Sequence, residues 1–129
     1  MLNKDYLKKI NNSIDNKIKI KLINKFIEPD VLQIYFNASD AVVLPFNNIE
    51  NSGSAILAMG FKKVIIAPDM GVLPDRLKKQ KLFLYKDDLK EKLLKVINSE
   101  NQELIKYGQK NYKELKKYKW SNFSKYFLN

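Results

Sequence analysis

The sequence predicts an α/β domain with a Rossmann-like, doubly wound, mainly parallel sheet of about four strands and helices on both faces. Two short apolar runs, 41–44 and 64–67, are each closed by a proline, Pro45 and Pro68, as strands buried on both faces would be. Between them Asn51-Ser52-Gly53-Ser54 opens the stretch 55–61, which is apolar on every side and so reads as a helix packed inside the domain. Strand, loop, buried helix and strand in that order are one unit of a parallel sheet.

The remaining elements follow in chain order. Residues 3–11 read as a helix that ends at an Asn-Asn-Ser turn. Ile18, Ile20 and Leu22 alternate with lysines, which predicts a strand to about Phe26 with one exposed face. Glu28-Pro29-Asp30 breaks it, and Asp30 is placed to cap a helix over 31–38 in which Leu32, Tyr35 and Phe36 share a buried side. Gly71 to Pro74 closes the loop after the second apolar run, and Pro74 fits the first turn of a short helix through Lys78. Leu82 to Tyr85 is the last strand. Asp87 or Asp88 caps a helix carrying Leu89, Leu93, Leu94 and Ile97. A final helical region spans 101–128, with a break expected near Trp120.

Composition narrows the chemistry. A chain of 129 residues suffices for a single domain with a core. It has no cysteine and no histidine, which excludes disulfides, thiolate or imidazole metal ligation and a histidine-based triad within the chain. Carboxylates are not clustered at a ligand-like spacing, so no metal is expected. No leader-like segment opens the sequence and no apolar run nears the ~20 residues of a membrane span, so a cytoplasmic protein is expected.

The formal net charge is +10, almost all of it lysine, with Arg76 the only arginine. Arginine is the residue suited to bidentate base and phosphate recognition, so peripheral contact with an anionic membrane or an acidic substrate fits the charge better than nucleic acid. Lys110, Lys113, Lys116, Lys117 and Lys119 form the densest cluster, interleaved with Tyr112, Tyr118 and Trp120. Aromatics at that helical spacing read as the packed side of a helix whose lysines are solvated.

The stretch NSGSAILAMGFKKVIIAPDMGVLPD resembles the donor-binding half of retaining glycosyltransferases with two Rossmann-like domains, the GT-B group 1 (family 4-like) enzymes. The upstream stretch IKIKLINKFIEPDVLQIYFNASDAVVLPF is similar to that family's strand, aromatic-bearing helix and proline-ended strand, and Lys119-Trp120-Ser121 resembles the start of its C-terminal helix. The resemblance implies a partial donor domain lacking the acceptor domain and the first donor-domain strands. Three departures stand out. The family's paired glutamates fall on Ile49 and Leu57, Glu50 lies beside the first of these positions, and the Gly and Pro before the following strand are Lys62 and Val64.

What the resemblance implies is hexosyl transfer from a nucleotide-diphosphate sugar to a glycan or lipid-linked acceptor, with no cofactor. A separate chain supplying the acceptor domain would then be a partner. Ser52, Gly53 and Ser54 would hold the donor diphosphate, because a helix N-terminus presents unbonded N–H groups and positive dipole. Ser52 or Ser54 can equally be an ordinary helix cap. Glu50 would be the catalytic-site carboxylate on the donor sugar, with Asn51, Asp69 and Gly71 near it, although Asp69 and Gly71 also read as plain turn residues. Ile27, Glu28 and Pro29 would line the base pocket. Two alternatives stand beside this reading: a non-catalytic Rossmann-like subunit that needs a partner chain, and a basic nucleic-acid-binding domain.

Overall fold

The computed structural model describes residues 3–13, 19–47 and 53–117. They fall into two units, Met1–Leu32 and Gln33–Asn129.

The first unit holds α1 (Lys4–Ser13) and the first turn of α2 (Pro29–Ala38). Asn3 starts α1, its Oδ1 accepting the Tyr6 N–H at 2.8 Å, and no residue of this helix is buried. The strand expected over 18–26 does not form: residues 19–26 carry no strand, and Phe26 is 77% exposed. Alternation of apolar and lysine residues is necessary for a half-buried strand but not sufficient, since a strand exists only by pairing. Asp30 is not the cap of α2. The helix begins one residue earlier at Pro29, and the N–H groups of Val31 and Leu32 both donate to the Glu28 carbonyl.

The second unit is an α/β layer structure around a three-stranded, wholly parallel sheet in the order β1 (Ala41–Val43), β2 (Val64–Pro68), β3 (Leu84–Tyr85). Among the described residues there are three strands rather than about four. Between β1 and β2 lies α3 (Gly53–Gly60). Between β2 and β3 come α4 (Leu73–Arg76) and a 3-10 segment, Lys78–Phe83, kinked at Gln80. Then follow α5 (Leu89–Ile97) and α6 (Asn101–Leu115).

All five residues of β2 are buried, and its two faces feed two core clusters. Ile65 and Ala67 pack with Ala55, Ile56, Ala58 and Met59 of α3, Leu73, Leu77 and Leu115. Val64, on the opposite face, packs with Phe83 and Leu104 against the half-buried Val96 and Tyr107. This is why the run reads as continuously apolar rather than alternating. The same argument accounts for α3, which is buried along most of its length.

Two polar devices complete the sheet. Ile65 has β1 on one side, but β3 pairs only from Ala67 onward, leaving its peptide exposed to the core. The fully buried Gln80 side chain fills that place: Oε1 accepts the Ile65 N–H at 2.8 Å and Nε2 donates to the Ile65 carbonyl at 2.6 Å. Asn111 of α6, also fully buried, donates Nδ2 to Gln80 Oε1 at 2.7 Å and to the Lys63 carbonyl at 3.0 Å. A side-chain amide thus substitutes for a missing strand, which removes a desolvation penalty of about 1–3 kcal/mol for each backbone group.

The second device is the turn before β2. Sequence comparison with the GT-B pattern leaves Lys62 where glycine is expected, implying a turn made by other means. The structure makes a left-handed turn there nonetheless, with Lys62 at φ 58°. Its N–H donates to the Met59 carbonyl and the Lys63 N–H donates to the Ala58 carbonyl, the paired bonds of a helix-terminating Schellman motif. Against this turn packs Gly108 of α6, so closely that a Cβ there would lie 1.9 Å from the Lys62 carbonyl oxygen.

Candidate active site at the carboxyl ends of the strands

In open parallel sheets ligands bind beyond the carboxyl ends of the strands. In the second unit that rim is built from three loop exits. After β1, Leu44 still donates its N–H to the Ile66 carbonyl at 2.8 Å before Pro45, the half-buried Phe46 and Asn47 leave the sheet. After β2, the Asp69 N–H donates to the Tyr85 carbonyl at 2.7 Å, so the loop starts in a fixed direction, and the Met70 N–H closes a tight turn onto the Pro68 carbonyl at 2.9 Å. After β3, the Lys86 N–H donates to Asp88 Oδ1 at 3.0 Å.

Of the site residues expected from the sequence, Gly53 begins α3 and Ser54 lies exposed in its first turn. The helix therefore starts inside the Ser/Gly stretch rather than after it, which puts the N–H groups of its first turn at the rim on the β1 side. Gly71 takes φ 58°, the left-handed angle of a turn glycine. Asp69 is exposed, with its backbone committed to the sheet edge and its carboxylate on the surface. Leu57 is half-buried on α3, at a position where the GT-B pattern carries a glutamate. Glu50, Asn51 and Ser52 lie outside the described residues, as does Ile49. Ile27, Glu28 and Pro29 are in the first unit: Ile27 is half-buried, Glu28 and Pro29 are exposed, and the Glu28 carbonyl accepts the first α2 bonds.

The rim is electrostatically uneven. Asp69, Asp87 and Asp88 bring carboxylates to the β2 and β3 exits. The Lys86 N–H hydrogen bond, aided by Lys92 at 3.4 Å, holds the Asp88 carboxyl below the usual carboxylate range. Asp88 occupies the position just before α5, as expected, yet it caps by closing onto Lys86 rather than by bonding into the helix. The first turn of α3 adds the positive end of a helix dipole to this rim. Among the described residues no group of three or more Asp, Glu, His or Cys is placed to hold a metal ion, and no helix there is long and apolar enough to cross a membrane.

No family model, curated protein or solved structure matches this chain. The site therefore rests on its own geometry.

Sequence reading missed the polar interior. Gln80 and Asn111 sit in lysine-rich stretches where neither periodicity nor a motif marks them. Glu114, the third buried polar residue, is 3% exposed and pairs with Lys78 at 2.9 Å and Lys117 at 3.0 Å. The Lys78 contact, reinforced by Lys117, holds its carboxyl below the ordinary glutamate value against the opposing effect of burial. Its acidic character on a basic helix was the one available signal.

Proposed function

We propose that the chain is the donor-binding part of a glycosyltransferase, taking a nucleotide-diphosphate sugar and transferring its hexose to a glycan or lipid-linked acceptor. The observation that carries this reading is the start of α3 at Gly53, in the connection that leads from the carboxyl end of β1 to the parallel strand β2. A helix N-terminus there offers N–H donors and dipole to a diphosphate, and the charge that develops on the leaving diphosphate would be met by the same donors. Asp69 suits a sugar hydroxyl, and Glu50 would bind the donor sugar from the loop preceding α3. In this reading the domain is a doubly wound, GT-B-like sheet with a further strand, and a partner chain supplies the acceptor domain, in the cytoplasm or at its membrane face.

A second reading, a non-catalytic subunit of the same fold, is favoured by Leu57. A leucine cannot accept the ribose hydrogen bonds that a glutamate accepts at that place in the resembling enzymes.

Titration of uridine and guanosine diphosphates into the full chain tests the first reading. Micromolar binding is expected, abolished in both Gly53→Val and Ser54→Asp. The Ser54→Asp carboxylate should leave α3 equally or more stable by about 0.5 kcal/mol, being favourably placed on the helix dipole, while repelling a diphosphate. Unchanged diphosphate affinity in Ser54→Asp would remove the site. Absence of nucleotide binding in the parent chain would leave the subunit reading.

A further inference from the structure

Away from the rim, the 3-10 segment and α6 enclose a groove of about 350 Å³ lined by Lys79, Lys110, Lys113, Glu114 and Lys117. No apolar side chain lines it. On α6 the spacing 106, 110, 113 keeps three lysines on one narrow stripe beside the buried face, about 10 Å long at 1.5 Å per residue, and Lys117 follows just past the helix end. Like charges three and four residues apart cost a helix about 0.2–0.5 kcal/mol per pair, so the stripe is not explained by the stability of α6.

The acid on the groove floor is already consumed. Glu114 is held between Lys78 and Lys117, and this pins the Lys117 cation at the groove wall. Among the described residues no carboxylate pairs with Lys79, Lys110 or Lys113, and Lys110 rests over the Tyr107 ring at 5.1 Å. Four lysines line the groove and a fifth, Lys78, pairs with its one carboxylate, a local excess of four positive charges.

We propose that this groove binds the phosphodiester backbone of a single nucleic-acid strand, without regard to base sequence. A concave groove whose lining side chains carry four ammonium groups to one paired carboxylate matches a flexible polyanion that can lie along it. A bilayer is flat and would reach only the outer lysines, and the apolar face that α6 would need for insertion is buried in the core. The channel holds lysine and no arginine, which provides charge without the bidentate geometry that reads bases. The site is independent of the diphosphate site proposed above.

The test is binding of a fluorescent 20-nucleotide oligothymidylate to the full chain across a salt series. Four charges predict log K falling with log[salt] at a slope of about −3. Lys79→Gln/Lys110→Gln/Lys113→Gln should weaken binding at least tenfold and bring the slope to about −1. The same three positions changed to arginine should retain both affinity and slope, which separates charge from folding. A control of equal charge, Lys9→Gln/Lys90→Gln/Lys95→Gln, should keep the parent slope. Equal loss in the control, a parent slope near zero, or groove-dependent binding to phosphatidylserine vesicles without oligonucleotide binding would each overturn the proposal. Displacement of the oligonucleotide by inorganic polyphosphate but not by a second, unlabelled oligonucleotide would also overturn it.

Discussion

The two turns that flank β2 adopt the same left-handed angle, φ 58°, with different residues: Lys62 before the strand and Gly71 after it. A side chain in that region costs about 1–2 kcal/mol, which glycine avoids. At the amino end the cost is carried because the surroundings leave no alternative. The Schellman bonds fix the turn, Gly108 packs on its carbonyl, and Lys63 Nζ donates to the Ser39 and Asn37 carbonyls at 2.8 and 3.3 Å, tying it to the end of α2. The Lys62 ammonium also lies 5.0 Å from the Tyr112 ring centroid, which Lys116 approaches to 4.6 Å. At the carboxyl end, residues 69–72 are exposed, and past the sheet bond from the Asp69 N–H to the Tyr85 carbonyl they are held by short-range turn bonds. The contrast teaches that one end of the sheet is locked by tertiary contacts, leaving the other, where a ligand would bind, to local turn chemistry.

The sharpest way to break the contrast is at the locked end. Gly108→Val should cost about 3–5 kcal/mol, because the new side chain would meet backbone rather than a movable side chain. Denaturant unfolding measures it, and a loss under 1 kcal/mol would show that α6 can shift away from the turn freely. Next, Gln80→Leu should cost about 2–4 kcal/mol, since the Ile65 N–H and carbonyl and the Asn111 amide all lose a buried partner. Hydrogen exchange of the Ile65 amide would rise with it, and a neutral effect would mean that water replaces the side chain.

A smaller effect concerns charge. The Glu114 carboxyl is held low, so its stabilisation is complete above the unfolded glutamate value, about 4.3, and is lost as pH falls through the lower folded value. Glu114→Gln should remove about 1 kcal/mol at pH 7, discounted because Lys78 and Lys117 are 51% and 64% exposed, and should flatten stability below pH 4.5. Melting curves from pH 3 to 7 decide it, and a variant as acid-sensitive as the parent would exclude the pair. The smallest expected change sharpens the opening comparison. Lys62→Gly should stabilise by about 0.5 kcal/mol, relief of the left-handed angle exceeding the lost ring contact and the freer unfolded chain. Gly71→Ala should do the opposite, losing about 1 kcal/mol.

Much of the second unit was legible in the sequence. Proline-closed apolar runs located β1 and β2, the all-apolar segment located α3, and Leu84–Tyr85 fell inside the expected last strand. The expected strand over 18–26 failed because its pattern records a preference for one buried face and carries no information about a neighbour to pair with. Asp30 misled as a cap because it lies inside its helix, whereas Asp88 does hold the cap position of α5 while its side chain serves the loop before it. Of the site, Gly53 and Ser54 at the start of α3 and Gly71 in a left-handed turn follow from local residue chemistry.

Local preference and burial pattern were therefore fixed by the order of residues alone: which segments are helical, which strand is interior, where glycine turns the chain. Only the tertiary structure decided what crosses between segments. It set Gln80 in place of a strand beside Ile65, drove Gly108 onto the Lys62 turn, and gathered Lys79 with Lys110, Lys113 and Lys117 around Glu114. These are contacts between residues far apart in the chain, made by side chains whose partners are chosen by packing, and no periodicity within one segment encodes them.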